Sequence, residues 1–199
     1  RSVSAFLLNR SSDLSLVLLA NYDGRQQTGF PRPITPQTEP VNSGWAQLRE
    51  AQRTTAKADA HAELAVINDL GETVDIHPLR KKEVAERIAL CFDKLIYNNK
   101  VKLSPEVVST QVSDAAIQLT LDQPIQEGDL YTFEVCNNGS NKYQNVHAVG
   151  RGNVITLLVP MVSQASGLKI RYAWKDDPKQ ANVRSLSGLP MSSFEMTIK

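Results

Sequence analysis

The chain has 199 residues, of which 41% are hydrophobic and 22% are charged, a composition typical of a globular protein. Its formal net charge of +1 supplies no surplus of positive charge to hold nucleic acid or an anionic membrane surface, so we expect neither as a partner. No apolar run approaches the roughly 20 residues that a membrane-spanning helix needs.

The first half of the chain alternates predicted strands and helices. The apolar runs in residues 14–20 (LSLVLLA) and 62–69 (AELAVIND) are typical of buried strands in a parallel sheet. Ser43 is a favourable N-cap for a helix over residues 44–58. Apolar spacing over residues 78–97 predicts a second helix with Pro in its first turn. The order strand, helix, strand, helix indicates an α/β fold with a parallel sheet.

A long segment between the first strand and the first helix is rich in turn-forming residues. Residues 21–44 contain four prolines and three glycines, so regular secondary structure is not expected there. Loops of this length in compact domains are often binding loops or lids. This one could gate a substrate site, or it could simply cover an edge of the sheet.

The second half of the chain has the pattern of antiparallel β structure. Apolar and polar residues alternate in short stretches, separated by turn formers such as QEGD and GRGN, which is the pattern of consecutive strands. The predicted strands cover residues 116–123, 130–136, 153–160 and 168–174. Because no helix is predicted between them, they indicate an antiparallel β-sandwich. We therefore divide the chain into an α/β unit of residues 1–98 and a β-sandwich unit of residues 99–199.

The cysteines and histidines do not have the spacing of a metal site. His61, His77 and His147 are scattered and no CxxC motif occurs, so we expect no metal ion and no other cofactor. Cys91 falls on the apolar side of the second predicted helix, and Cys136 ends a predicted strand. Two buried free thiols are the ordinary interpretation of this placement, and a disulfide between them is the alternative.

An Asp and a His two residues apart follow the second predicted strand. Ligands of parallel α/β sheets bind at the carboxyl ends of the strands, and Asp75 and His77 lie in the loop that leaves such an end. The positive end of the following helix dipole disfavours the imidazolium, which would keep His77 neutral and able to accept a proton. A carboxylate could then hold the tautomer, with Asp75 nearest and Asp69 and Glu72 as the other candidates. The alternative is that Asp75 only caps the helix.

Residues near the end of the first strand are candidates for substrate binding. Tyr22 and Asp23 directly follow that strand, so they are placed to line a cleft at its carboxyl end. Trp45, Arg49 and Gln52 share one face of the first predicted helix. Arg49 could contact substrate, or it could serve a structural role beside an acidic neighbour. We take Tyr22 and Arg49 as the substrate-binding candidates.

Two aromatic residues near the C-terminus allow two interpretations. Tyr172 and Trp174 alternate with Arg171 and Ala173. Together with Arg171 they could form a platform on which a sugar stacks. The alternation, however, places both aromatic side chains on one face of a strand, which favours packing in the β core.

Four stretches of the chain together resemble one known family. AVINDLGETVDIHPLRKKEVAERIAL, which contains Asp75 and His77, resembles the final conserved block of the SGNH/GDSL hydrolases, specifically the sialate O-acetylesterase family. SLVLLANYD is similar to that family's central strand, and GWAQLREAQ to its W-x-x-L-R-x-x-Q helix. LKIRYAWKDDPKQANVRSLSGLPMSSFEM is similar to its closing β segment. These stretches stand in the family's order and span most of residues 14–196.

The resemblance implies both a fold and an activity. The fold would be the C-terminal part of a flavodoxin-like SGNH-hydrolase parallel sheet in residues 1–98, followed by an antiparallel β-sandwich in residues 99–199. The activity would be that of a serine-type carboxylic ester hydrolase that removes O-acetyl groups from sugars such as sialic acids. A secreted, periplasmic or lysosomal-type compartment is implied as well.

The resemblance also implies roles for two residues. His77 would be the general base and Asp75 the orienting acid. The D-I-H-P form seen here matches the bacterial acetylesterase branch of the family. The wider superfamily has its Asp three residues before the His, where this chain has Val74.

The family's nucleophile block is absent from the sequence. Neither a G-Q-S-N or G-D-S motif nor a W-Y-Q-G-E-S-N motif occurs. Ser12 and Ser15 precede the first strand or begin it, whereas a nucleophile needs an exposed turn at the strand's carboxyl end. We therefore expect the nucleophilic Ser on an N-terminal segment or chain that completes the sheet, and no activity from this chain alone. Processing of some family members into two chains is also implied.

Two other functions compete with the esterase. One is a non-catalytic carbohydrate-binding module in which the β-sandwich unit does the work. The other is an enzyme of different chemistry that uses Asp69, Glu72 and Asp75 as paired carboxylates.

Overall fold

The computed structural model describes residues 13–23, 39–97, 99–113, 115–136, 140, 142–159 and 167–198. Within these ranges the chain forms two helices and nine strands. In chain order they are β1 (Leu14–Val17), α1 (Gly44–Ala58), β2 (Ala62–Ala65), α2 (Lys81–Leu95), β3 (Val107–Ser113), β4 (Ala116–Leu121), β5 (Gly128–Cys136), β6 (Gln144–Arg151), β7 (Val154–Leu158), β8 (Lys169–Tyr172) and β9 (Phe194–Thr197). None of the helices in these ranges has the length and apolar character to cross a membrane.

The first part of the chain packs two helices on a pair of parallel strands. β1 and β2 run side by side, from Leu14 opposite Ala62 to Val17 opposite Ala65. α1 begins where the sequence predicts, because the Ser43 hydroxyl accepts the Ala46 N–H at 2.9 Å. A small apolar core lies beneath the helices and is formed by Leu18, Ala20, Val66, Ile67 and Leu70.

The second helix begins later than the sequence predicts. α2 starts at Lys81, so Pro78 lies in the preceding loop and not in the first turn. Arg80 occupies the N-cap position without a side-chain cap bond, and its guanidinium turns back to the Asp69 carbonyl instead. The residues just before α2 are therefore held by a tertiary contact.

The prediction of a flavodoxin-like parallel sheet is wrong. Among the described residues the parallel sheet has two strands, while the other seven strands form one antiparallel sheet in the order β3-β4-β7-β6-β5-β8-β9. The apolar runs that predicted long strands pair over four residues each, and Leu18, Ala20, Val66 and Ile67, which follow the paired residues, pack in the core as loop. An apolar run reports burial, and burial alone does not distinguish a strand from a covered loop.

Side chains of α1 bind the backbone at and just after the carboxyl end of β1, on the side away from β2. The Gln52 side chain accepts the Leu19 N–H at 2.9 Å and donates to the Val17 carbonyl at 3.1 Å. The Trp45 indole N–H donates to the Ala20 carbonyl at 2.7 Å. The neighbouring Leu18 N–H lies on the opposite side of the backbone and donates to the carbonyl of Ala65 in β2. The helix thus supplies hydrogen bonds that an adjacent strand would otherwise provide.

The strand-rich second half is consistent with the antiparallel β unit that the alternating pattern predicts. One face of its sheet carries a large core that includes Ile117, Leu119, Phe133, Ile155, Leu157, Ile170 and Tyr172, all fully buried. Tyr172 packs 4.7 Å from the Phe133 ring, and its hydroxyl accepts the Val183 N–H at 2.9 Å. Trp174 is buried as well. The interpretation as a core residue is confirmed for Tyr172. Trp174 is buried outside this core, with the Arg171 guanidinium 4.7 Å from its ring, so neither aromatic is exposed as a sugar platform.

Both cysteines are buried and form no disulfide with each other, as the ordinary interpretation of their placement predicted; the Cys136 thiol donates to the Ser140 carbonyl at 2.8 Å. Burial raises the pKa of the Cys91 thiol to about 11. The boundary between residues 1–98 and 99–199 stays a prediction.

Arg49 joins the two halves of the chain. Its side chain is 0% exposed. The guanidinium donates to the carbonyls of Leu19 and Ala20 after β1, at 2.9 and 3.3 Å, and to those of Lys175 and Asp176 after β8, at 2.8 and 2.6 Å. Burial lowers its pKa to about 10, against the opposing charges of Asp176 and Asp177. A buried cation is tolerated because its donors are satisfied by carbonyls from both halves.

We expect Arg49→Lys to lower the free energy of unfolding by about 3 kcal/mol, because an ammonium group cannot reproduce the guanidinium geometry and leaves buried carbonyls unsatisfied. Urea denaturation of the purified chain measures the change. Arg53→Lys on the same helix is the matched control. Arg53 pairs with the carboxylates of Glu50 and Glu106 through its three guanidinium nitrogens. Arg53→Lys therefore also loses hydrogen bonds, but its partners reach solvent, with 16% and 31% of their side chains exposed, so a smaller loss of about 1 kcal/mol is expected there. Equal losses in the two variants would contradict a special role for Arg49.

Candidate functional site

Asp75 and His77 lie together in the loop of residues 70–80, here called the His loop, between β2 and α2. The His77 N–H donates to Asp75 Oδ1 at 2.8 Å, and His77 Nδ1 lies 3.3 Å from the same oxygen. The side chain of His77 is 80% exposed. Accepting the His77 N–H lowers the pKa of the Asp75 carboxyl. When Nδ1 donates to Asp75, Nε2 carries the lone pair and can accept a proton.

The beginning of the His loop is bound to the segment that follows β1. The Gly71 N–H donates to Asn21 Oδ1 at 2.7 Å, and the Asp23 N–H donates to the Thr73 carbonyl at 2.8 Å. The approach is too close for any side chain at position 71, since a Cβ there would lie 2.3 Å from the Asn21 carbonyl oxygen. The carboxyl ends of β1 and β2 therefore meet at the His loop, as parallel strands require.

The C-terminal half of the chain reaches the same place through Asp177. One carboxylate oxygen accepts the Asn21 amide at 2.7 Å, and the other accepts the Thr73 hydroxyl at 2.6 Å. Asp177, Thr73 and Asn21 were not predicted as partners, because they are far apart in the chain and no spacing in the sequence links them. The resemblance of residues 168–196 to the family's closing segment covers Asp177 but assigns it no role.

Asp69 is committed to arginines and is not available as an acid or base. Its carboxylate binds Arg87 of α2 and Arg184 of the C-terminal half, with oxygen to nitrogen distances of 3.0 and 2.8 Å. Burial alone would raise the pKa of this carboxyl, but the two guanidinium groups outweigh burial and lower it. The hypothesis of paired carboxylates that includes Asp69 therefore has no support in this arrangement.

The substrate-binding candidates lie deeper than the His loop. Tyr22 is buried and packs 5.6 Å from the Trp45 ring. Arg49 is held by backbone carbonyls as described above. Their role in binding substrate stays a prediction, and a ligand would reach either one only if the covering residues moved.

Of the two serines considered as nucleophiles, Ser15 is the one that the structure describes. Ser15 lies within β1 opposite Glu63, ahead of the strand's carboxyl end. Ser12, and the proline-rich segment over residues 24–38, fall outside the described residues. Among the residues that are described, no group of three His, Cys, Asp or Glu side chains is placed to hold a metal ion.

A cavity of about 410 Å³ opens beside the His loop. The loop contributes Gly71, Glu72 and Arg80 to its wall, and the C-terminal half contributes Lys179 and Arg184. The remaining lining includes Asn21, Asn68, Pro190 and Met191. The cavity is polar and lies between the two halves of the chain, as ligand sites often do.

One solved structure shares most of this architecture. The crystal structure of a carbohydrate acetylesterase from Xanthomonas citri matches with a TM-score of 0.74 at 25% sequence identity, covering 92% of this chain and 40% of that chain. The present chain thus spans less than half the length of the esterase that it resembles. A bacterial S-layer protein matches 64% of the chain at 14% identity, but its TM-score of 0.34 is too low to carry any argument.

Other comparisons found no relative. No protein-family model matches the chain, and no curated protein matches it. The structural likeness of this chain is therefore to part of a carbohydrate acetylesterase.

We expect Gly71→Ala to disturb the His loop, because the new methyl group would collide with the Asn21 backbone. The free energy of unfolding should fall by about 1–3 kcal/mol, the usual cost of an overpacked site. Gly44→Ala is the matched control. A Cβ at position 44 meets nothing within 4 Å and lies in the first turn of α1, where alanine is neutral or stabilising. Thermal unfolding of both variants measures the contrast, and an unchanged melting temperature for Gly71→Ala would contradict the close approach.

Proposed function

We propose that the chain is the C-terminal part of a carbohydrate O-acetylesterase of the sialate O-acetylesterase type. The observation that carries this proposal is the match to a carbohydrate acetylesterase over 92% of the chain. The contact between Asp75 and His77 at the carboxyl end of a parallel strand pair is compatible with it. In this proposal the substrate is an acetylated sugar, and the compartment is one in which glycans are found, outside the cell, in a periplasm or in a lysosome.

His77 would act first as base and then as acid. Nε2 takes the proton of a serine hydroxyl as the serine oxygen bonds to the acetyl carbon. It then gives that proton to the sugar oxygen as the bond between this oxygen and the acetyl carbon breaks. Water repeats the cycle on the acetyl-serine, releasing acetate and restoring the serine. Asp75 keeps Nδ1 protonated and stabilises the imidazolium formed between the two transfers.

The nucleophilic serine is proposed to lie on an N-terminal segment that covers the His loop. Val74, Ile76 and Leu79 are neighbours of His77 in the sequence, and all three are exposed, by 57%, 41% and 73%. Apolar side chains clustered at one loop favour a contact with another polypeptide surface. Such cover would also exclude water, which strengthens the hydrogen bonds that the reaction uses. The length of the matching esterase, of which this chain covers 40%, leaves room for such a segment.

We expect this chain alone to hydrolyse p-nitrophenyl acetate no faster than buffer, and to gain activity when the nucleophile-bearing segment is added. His77→Ala in that complex should lower kcat by at least about 1000-fold, the scale of losing a triad member. His61→Ala is the matched control, because His61 is also exposed and its Nδ1 also lies 3.3 Å from an aspartate, Asp13. This variant should keep wild-type activity.

Robust hydrolysis by the isolated chain would contradict the divided site. Glycan binding by the chain that His77→Ala leaves unchanged, with no esterase activity in the complex, would favour the carbohydrate-binding module instead. Assays on acetylated sialic acid and on acetylated xylan then show which of the two acetylated sugars the complex hydrolyses.

We expect Leu79→Glu to weaken association with the nucleophile-bearing segment by at least about tenfold, because a charge would be buried where an apolar side chain fits. Leu186→Glu is the control, since Leu186 is comparably exposed, at 68%, in the C-terminal half. Titration calorimetry on both variants measures the affinities. Equal affinities would show that the segment does not dock on the exposed apolar residues of the His loop.

A further inference from the structure

Asp177 occupies an unusual position for an acidic residue outside the proposed active site. It lies in the turn after β8, and its side chain is only 7% exposed. Both carboxylate oxygens accept hydrogen bonds, one from the Asn21 amide and one from the Thr73 hydroxyl. Lys179 stands 3.8 Å away with its own side chain half exposed. A buried carboxylate is costly unless its oxygens are bonded in this manner.

Asn21 and Thr73, which both donate to Asp177, also link the end of β1 to the start of the His loop. Asn21 uses its amide nitrogen for Asp177 and its amide oxygen for the Gly71 N–H. Thr73 uses its hydroxyl for Asp177 and its carbonyl for the Asp23 N–H. Four hydrogen bonds of 2.6 to 2.8 Å thus join the end of β1, the start of the His loop and the C-terminal half.

This network ends two residues before Asp75 and four before His77. The remainder of the loop is exposed, and Arg80 anchors its far end through the Asp69 carbonyl. The halves of the chain are already joined by Arg49 and by the pair of Asp69 with Arg184. The two halves would therefore stay joined without the hydrogen bonds of Asp177. These bonds instead fix the backbone at the start of the His loop.

We propose that Asp177 is a positioning residue for the base, acting through Thr73 and Asn21 to set the placement of His77 against the nucleophile. The inference rests on the proposed function and goes beyond it, because it gives the antiparallel sheet unit a part in the catalytic geometry. Proton transfer between a serine and an imidazole depends steeply on their separation, so a loop displaced by about 1 Å costs on the order of 100-fold in rate.

The test is Thr73→Val in the complex of this chain with its nucleophile-bearing segment. Valine keeps the shape of threonine and removes the one donor that joins Asp177 to the loop. We expect kcat with p-nitrophenyl acetate to fall by about 10- to 100-fold while KM changes less than about twofold, since the residue does not touch substrate. Thr73→Ser keeps the hydroxyl and should restore most of the rate.

Two controls separate positioning from general damage. Thr54→Val removes a hydroxyl that donates to the Glu50 carbonyl on α1, far from the His loop, and should leave kcat unchanged. In the background of Asp177→Ala, Thr73→Val should have little further effect, because the partner of the hydroxyl is already gone. Hydrogen exchange of the Asp23 and Gly71 amides should be faster in Thr73→Val than in the wild-type protein.

The possible results of these experiments distinguish failure of the positioning role from failure of the proposed esterase function. Faster amide exchange with kcat within twofold of wild type overturns the positioning role and leaves the esterase standing. A loss of rate that serine does not rescue overturns it as well. Absence of esterase activity from the wild-type complex removes the proposed function itself, and the positioning role falls with it for that separate reason. If Asp177→Ala does not fold, Asp177→Asn replaces it in the comparison of the single variants with the double variant.

Discussion

A fully buried guanidinium sets the relation between the two halves of the chain. Arg49 has no access to water, so its donors must find acceptors inside the protein, and they find carbonyls after β1 and after β8. These two turns are thereby held against each other. Asp176 and Asp177 lie in the second turn, and their charges offset part of the cost of burying the cation. The placement of Asp177 at the His loop depends on this arrangement.

The site that results is asymmetric. Its supporting residues, Asn21, Thr73 and Asp177, are buried or nearly buried and fully engaged in hydrogen bonds. The residues that would do chemistry, Asp75 and His77, are exposed. A triad enzyme needs its base in a sheltered and preorganised environment. A preorganised loop with an exposed base fits one side of an active site whose other side comes from a second segment.

Particular residues show where local reasoning succeeded. α1 spans Gly44–Ala58 as its Ser cap and apolar spacing predicted, because a helix start is decided within one turn. Four of the seven described strands after residue 100, β4, β5, β7 and β8, were predicted for a similar reason, since one buried face leaves a period of two in the sequence. β3, β6 and β9 were not predicted. The fold class was wrong because the parallel sheet of the described residues has only β1 and β2, and the other seven strands form one antiparallel sheet. Gln52 and Trp45 bind the backbone at and just after the end of β1. Nothing in an apolar run reveals what lies at a strand's edge.

The sequence by itself determined the elements with strong local patterns, and by resemblance it singled out the D-I-H-P motif that contains Asp75 and His77. The contact between those two residues is also local, since an aspartate two positions away can always reach a following N–H. Only the tertiary structure decided which strands pair and that Arg49 joins the two halves. It also brought Asp177 to Asn21 and Thr73, residues 156 and 104 positions away. Such contacts depend on how whole units pack, and hydrogen bonds between distant segments leave no periodic trace in the sequence.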